Sequence, residues 1–364
     1  MHLRAVAPVV LVLAALSGLM GCTGAGSAGR GSSPQPAAAE RPAQASATPS
    51  PPMSLRPVKL SYVNALDQAP LFWAIDRGYF EAQGIELQTE PVQSAADAIA
   101  FLANGQLDVA MGAIAVPLFN AVYQGLDVRI IAPVAYVARN AVLVRKDLWD
   151  SGVVRSVADF RGRRVYSVAP GSGAVYIRTQ VLENAGLRPE DVEAITMPLQ
   201  DAPLAMANRQ IDGGVFSDPW ATRMLLEGSA VALDPGPLPE RLSIVLMAGS
   251  RLREAEPELG RRFLLAYLRA VRELQTDEQL KSDAATAVFA RWTGNQPELV
   301  RQLQYLPRFE PNFVIDTDSL LDQQRVHIAS RATTYTDPLP AERLIDTRLA
   351  DYAVAQLGRW PAGR

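Results

Sequence analysis

The chain contains one cysteine, Cys22, and two histidines, His2 and His327. A lone cysteine excludes an internal disulfide and every multi-cysteine metal site. With His2 in the N-terminal leader, any histidine chemistry in the folded body rests on His327. Basic tracts are also missing: Lys and Arg total 35 against 38 Asp and Glu, a formal charge of −3. That balance gives no electrostatic basis for nucleic-acid binding. The N-terminal apolar core, Val6–Leu16, falls well short of the roughly 20 residues that a permanent membrane helix needs. What remains is a chain of 364 residues with 48% apolar composition, enough for a real core and sized for about two domains.

The scarcity of cysteine draws attention to where Cys22 lies. Arg4 supplies a positive n-region, Val6–Leu16 is a short apolar core, and Leu19-Met20-Gly21-Cys22 resembles the bacterial lipobox. Residues 1–21 are therefore expected to be a lipoprotein signal peptide. Cys22 is then the acylated residue of the mature chain, held at the extracytoplasmic face of a cell membrane by buried methylenes. Residues 22–56 hold hardly a large apolar side chain, being mostly Gly, Ser, Ala and Pro. They cannot bury enough to fold and read as a tether reaching about 30 Å.

From Pro57 onward, short apolar strands alternate with helical patterns, which implies α/β architecture with mostly parallel sheets. One stretch occurs twice. Asp97–Gly112 aligns without a gap on Asp201–Phe216, and Asp97, Ala98, Ala103, Asn104, Gln106 and Asp108 meet identical residues 104 positions later. In both copies a helix ends in a polar turn and a strand emerges, so two similar lobes are expected with a cleft between them. Ser94-x-x-Asp97 and Ser156-x-x-Asp159 have capping-box spacing. Asp218-Pro219 opens a helix with a carboxylate at the N-cap and proline at N1. After Pro257 the pattern is almost wholly helical. The expected division is lobe 1 over 57–148, lobe 2 over 149–240, and a return to lobe 1 with C-terminal helices over 241–364.

Several segments then fall into a familiar order. Ala69-Pro70-Leu71-Phe72, Gly78-Tyr79-Phe80, Gly84-Ile85-Glu86-Leu87 and Gly105-Gln106-Leu107-Asp108-Val109 come first. Asp159-Phe160-Arg161-Gly162-Arg163, Pro170-Gly171-Ser172, Gly186-Leu187, Asp191-Val192 and Asp218-Pro219 follow. In that order the chain resembles the solute-binding lipoproteins of ABC importers, in the nitrate/sulfonate/pyrimidine-binding, thiamine-precursor-like family. The resemblance implies a periplasmic-binding-protein type II fold, with two lobes joined by a two-strand hinge that close on a small-molecule ligand. It also implies an ABC-transporter permease as partner and a monomeric binding protein without a cofactor.

Ligands in open α/β sheets sit outside the carboxyl ends of the strands. Those ends supply the candidate ligand residues Asn64, Asp67, Gln68, Ser94, Gly112, Tyr136, Ser172, Gly173, Asp201, Ser217, Asp218 and Trp220. Pro170-Gly171-Ser172-Gly173 offers backbone N–H groups at a helix N-terminus, where anions or carbonyls are favoured. Asp218 is either a helix cap or a ligand group, and Asp201 reads best as a cap. Tyr136 and Trp220 could stack on a ring. The strand ends carry Asp67, Asp201 and Asp218 but no Lys or Arg, which suits N–H and O–H donors better than an oxyanion. Within the family that points to a vitamin or vitamin precursor, riboflavin-like or aminopyrimidine-like. The alternatives are an alkanesulfonate, taurine or nitrate binder and, in another class, an enzyme like the pyrimidine synthases of this fold. The enzyme reading lacks a His/Cys metal site, and no nucleophile-elbow motif precedes His327.

Overall fold

A computed structural model of the protein describes residues 54–92, 95–136 and 140–361. The expected signal peptide, Cys22, nearly all of the expected tether and Ser94 lie outside those residues. No described helix is long and apolar enough to cross a membrane.

Strands β1 (Arg56–Tyr62), β2 (Ile85–Pro91), β3 (Val109–Ala113) and β4 (Arg129–Tyr136) belong to a first sheet. The chain then builds a second sheet from β5 (Ala141–Arg145), β6 (Arg164–Ser167), β7 (Glu193–Thr196), β8 (Gly213–Phe216) and β9 (Ala230–Leu233). It returns to the first sheet with β10 (Leu242–Ala248) and β11 (Arg308–Phe309). The orders are β2-β1-β3-β10-β4-β11 and β7-β6-β8-β5-β9. In each sheet four strands run parallel and one antiparallel strand, β10 or β5, is inserted before the last of them. The two sheets therefore correspond strand for strand, with β11 as an extra edge. Both copies of the repeated stretch occupy the same place: the helix Ala95–Ala103 leads into β3, and the helix Ala202–Ala207 leads into β8.

The first crossing comes earlier than the expected boundary at residue 148, because β5 pairs with β8 and β9. Ala141-Val142-Leu143-Val144 is buried throughout. A central strand with apolar residues on both faces carries no signal for which sheet it joins.

The repeated aspartates explain why the two units look alike. The Asp108 carboxylate accepts the Lys59 N–H at 2.8 Å and the Arg251 guanidinium at 2.7 Å, while its own N–H donates to the Lys59 carbonyl. Asp212 does the same one lobe later. It accepts the Arg164 N–H at 3.1 Å and the Arg145 guanidinium at 2.9 Å, and its N–H donates to the Arg164 carbonyl. Each aspartate ties the turn before a strand to the neighbouring strand and to a cation at or just beyond the end of the antiparallel insertion, Arg145 in β5 and Arg251 after β10. Burial tends to raise the pKa of Asp212, but the Arg164 N–H and the guanidinium groups of Arg164 and Arg145 outweigh it and hold the carboxyl below its usual range.

Successive residues of β10 feed opposite faces of the first sheet. Ile244 and Leu246 join the core under the helix Pro257–Glu273, while Val245 and Met247 join the core on the other face. That helix buries Phe263, Leu264, Tyr267, Leu268 and Val271, a spacing that places them on one face. The capping box at Ser156 and Asp159 forms, with the carboxylate accepting the Ser156 N–H at 2.9 Å.

The C-terminal third also reaches the second lobe. The helix Thr317–Ala329 packs on Gly173–Asn184, and the Tyr176 hydroxyl donates to Asp322 at 2.6 Å. His327 is fully buried, with no hydrogen-bond partner for either ring nitrogen among the described residues. Burial lowers its pKa to about 4, which leaves a neutral core imidazole.

Candidate functional site

The turns that follow β1 and β8 and the end of β4 converge where the two lobes face each other. With Tyr305-Leu306-Pro307 from the C-terminal third, they enclose a cavity of about 70 Å³. Its walls are Ala65, Leu66 and Asp67 after β1, Ala135 and Tyr136 at the end of β4, Asn140 at the crossing, and Ser217 and Asp218 after β8. The parallel strands β1, β4 and β8 each present their carboxyl end to it, as in ligand sites of open α/β sheets. The cavity is small against the 300–1,000 Å³ usual for ligand pockets, so in this closed arrangement it suits a compact solute.

Asp67 is the group in this cavity whose bonding is unfinished. Its Oδ1 is buried without a hydrogen-bond partner among the described residues. Burial raises its pKa to about 6, because desolvation penalises the ionised form. The Tyr267 hydroxyl is also buried and unpartnered, and burial and the nearby charge of Asp67 both push its pKa up. Buried polar groups in folded proteins almost always have partners, so an orphaned carboxylate oxygen at a cleft wall marks a place for a donor. The Tyr136 hydroxyl, by contrast, already donates to the Val314 carbonyl at 3.2 Å.

Asp218 is differently placed. Its Oδ1 accepts the Thr222 N–H at 2.9 Å, and its Oδ2 accepts the N–H groups of Gln304 at 2.9 Å and Tyr305 at 2.8 Å. It caps the helix Trp220–Leu226 and clamps a loop of the C-terminal third against lobe 2. Pro219 stands at the N-cap and Trp220 begins the helix, one position later than the sequence suggests. A carboxylate has lone pairs left after three such bonds, but its main work is holding the cavity wall together.

The remaining candidates divide. Ser217 lines the cavity, and Asn64 lines an adjoining recess beside Pro219 and Asn295. Gln68 is buried and accepts the Val63 N–H at 3.1 Å, so it shapes the turn. Gly112 lies in β3 with no heavy atom within 4 Å of where a Cβ would stand. Ser172 caps its helix by accepting the Ala174 N–H at 3.4 Å. A Cβ on Gly173 would stand 2.7 Å from the Ile114 carbonyl oxygen, and the Val116 N–H donates to the Gly171 carbonyl at 2.9 Å. The loop Pro170–Gly173, expected to offer N–H groups to a ligand, instead packs lobe 2 against the backbone of lobe 1.

Two expectations need correction. Asp201 is exposed and makes no capping bond, because Leu199–Asp201 is already a tight 3₁₀ turn and the aspartate itself is helical. The side chain of a cap must start from an extended backbone to reach forward. Trp220 does not line the cavity, and its ring carries the Arg223 guanidinium at 4.9 Å. Asn140 and Tyr305 were missed. Asn140 precedes an apolar strand without a turn signature, and Tyr305 lies about 87 residues beyond Asp218, in a stretch whose only clue is the loop-forming Leu306-Pro307. Among the described residues, no group of three or more His, Cys, Asp or Glu could hold a metal ion.

Comparison with known proteins places this geometry. The alkanesulfonate-binding protein SsuA of Xanthomonas axonopodis pv. citri, bound to MOPS, is 18% identical with a TM-score of 0.63, over 80% of this chain and 98% of its own. The periplasmic nitrate-binding protein NrtA of Synechocystis PCC 6803 is 16% identical with a TM-score of 0.64, over 83% and 89%. The desulfurization enzyme DSZB is 18% identical with a TM-score of 0.59, over 83% and 99%. At such identities the likeness is one of fold, the two-lobed periplasmic-binding-protein type II fold. No curated protein matches the sequence. Residues 52–289 match the NMT1-like family, and with well over half of its length inside that match the chain belongs to this family.

Proposed function

We propose that the protein is the solute-binding component of an ABC importer, which captures a small molecule between its lobes and presents it to a membrane permease. The observation that carries this reading is the unpartnered Asp67 Oδ1 at an interlobe cavity. A ligand touching both lobes binds the closed arrangement better and shifts the hinge equilibrium toward it. Acylation at Cys22 would keep the protein, as a monomer, at the extracytoplasmic face where the permease opens. Membership of the NMT1-like family and the fold shared with SsuA and NrtA support this role.

The lining supports a compact solute with N–H or O–H donors. Asp67, Asp218, Asn140, Ser217 and the two tyrosines face the cavity, and among the described residues no Lys or Arg does. An aminopyrimidine-like vitamin precursor suits that chemistry, whereas a flavin exceeds the closed volume. The second reading, a sulfonate or nitrate, rests on what SsuA and NrtA bind. It also has a cation in lobe 2: Arg178 is buried with Nε and one terminal nitrogen unpartnered among the described residues. DSZB shows that the fold also carries catalysis, but His2 lies in the expected leader, Cys22 is the expected acylation site and His327 is in the core, so the described residues of the cavity include no strong nucleophile beside a base.

Thermal shift of the whole chain against aminopyrimidines, vitamins, alkanesulfonates, taurine and nitrate tests the assignment. A true ligand at a hundred times its Kd adds about 2.7 kcal/mol. Stabilisation by taurine or nitrate with the heterocycles silent selects the second reading.

A further inference from the structure

A larger recess lies away from the cleft, where the helix Ala69–Asp76 ends about 12 Å from its start. It encloses about 580 Å³ between that helix, the end of Pro257–Glu273 and the C-terminal residues Leu357 and Trp360. Three arginines, Arg77, Arg269 and Arg272, face it together with the single carboxylate Glu273. Among the described residues none of the three makes an ion pair, although sixteen other basic residues do.

The roles of these charges separate. Glu273 is held by neutral donors, accepting from the Trp73 indole at 2.7 Å and from the Tyr79 hydroxyl at 2.5 Å. Arg272 donates to the carbonyls of Pro311, Leu357 and Gly358 at 3.0, 3.1 and 2.7 Å, and so secures the C-terminal strap. Arg77 stacks over the Trp73 ring at 4.1 Å, and both Arg77 and Arg269 lie close enough to the Tyr79 hydroxyl to influence its charge. A guanidinium placed over an indole face still has N–H groups at its edge, and that edge matches a carboxylate or sulfonate in bidentate fashion. The floor beside these arginines is apolar, formed by Leu274, Ala284 and Leu357.

We propose that this recess is a second binding site, for an aromatic organic anion whose ring lies on the apolar floor and whose carboxylate or sulfonate meets Arg77 and Arg269. The volume is within the range of small-molecule pockets, and a mostly apolar surface with a few convergent polar groups is their usual construction. The site is separate from the interlobe cavity and does not depend on what that cavity holds.

Isothermal titration of the whole chain with 2-naphthoate, 2-naphthalenesulfonate and neutral 2-naphthamide tests the proposal. One equivalent of either anion should bind, with the amide at least tenfold weaker and binding weakened by salt. The double variant Arg77→Gln/Arg269→Gln should lose tenfold or more while its melting temperature stays near that of the parent. Asp67→Asn, in the cleft, should leave the affinity unchanged. Equal binding of the amide, an unaffected double variant, or competition by whichever of taurine, nitrate and the aminopyrimidines stabilises the parent but not Asp67→Asn would overturn the proposal. So would a recess that binds an acidic peptide such as hexaglutamate and none of the naphthalenes, which would make it a docking face for a protein.

Discussion

Replacing Asp67 with Asn removes a charge from the interlobe cavity with little change in shape. Burial raises the pKa of the carboxyl from its ordinary value of 3.8 to about 6 in the folded state. A raised pKa means that the folded state holds the proton more tightly than the unfolded chain. Stability therefore falls as pH rises from about 4 to about 6 and is level above that. The difference of roughly two units corresponds to about 3 kcal/mol withheld from the empty protein at neutral pH. Asp67→Asn should lack this fall. In urea unfolding, the variant should gain on the parent by 1–3 kcal/mol, as an order of magnitude, at pH 7.5 relative to pH 4.5, the cost of burying the uncharged amide cancelling between the two. Ligand binding should move the other way. A donor ligand needs the ionised form, so its affinity for the parent should drop about tenfold between pH 7 and pH 5, and Asn should cost it roughly 1.5–3 kcal/mol. If the gap in stability between parent and variant is the same at both pH values, the carboxyl is not perturbed, and the case for Asp67 as the recognition group collapses.

Other substitutions test the frame. Asp218→Ala strands the Thr222 and Tyr305 N–H groups and leaves that of Gln304 only the Thr222 hydroxyl, and should cost roughly 3 kcal/mol, read by chemical denaturation; a loss below 1 kcal/mol would show that the clamp is idle. Asp212→Asn breaks a nearly buried ion pair with Arg145 and should cost about 3 kcal/mol at neutral pH. Its pKa is held low, so this contribution should be present above the normal aspartate range and fade as acid protonates it; parent and variant melting curves that converge at neutral pH would refute that. Gly173→Ala places a methyl 2.7 Å from the Ile114 carbonyl oxygen, so it should hold the lobes apart, weaken the cleft ligand and raise the radius of gyration in solution scattering. Unchanged affinity and size would mean that the contact gives way without consequence.

The frame was readable in the sequence because it was written twice. Asp108 and Asp212 recur because each accepts a backbone N–H of the neighbouring strand and a guanidinium at or just beyond the end of the insertion, a pairing of roles that a short carboxylate fills in both lobes. The strand ends followed from alternation of strand and helix, and Asp67, Tyr136, Ser217 and Asp218 do line the cavity. The misses have physical causes. A buried central strand such as Ala141–Arg145 does not announce its sheet. A glycine loop such as Pro170–Gly173 reads the same whether its backbone faces a ligand or another lobe. A carboxylate such as Asp218 reads the same whether its partners come from its own helix, from a ligand or from Gln304 and Tyr305 in a distant loop. Long-range partners leave no periodic trace.

That last pairing bears on how the lobes move. Two crossings alone would let the second lobe swing freely, yet the C-terminal third adds further ties. The segment that ends in β11 is paired to β4 of the first sheet, while its Gln304 and Tyr305 N–H groups are held by Asp218 after β8 of the second. A further tie joins Tyr176 of lobe 2 to Asp322 of the C-terminal third. Opening must either break these bonds or bend the chain between Leu303 and Pro307. Hydrogen bonds to a carboxylate contribute about 1.5–3 kcal/mol each, and an equilibrium shift from 1:99 to 99:1 takes about 5.5 kcal/mol. Two such bonds are thus comparable with the whole free energy that a ligand needs to drive closure. The empty protein should rest closed or nearly so, with a cavity that already has its walls, and the ligand's task is then chiefly to meet the buried charge of Asp67.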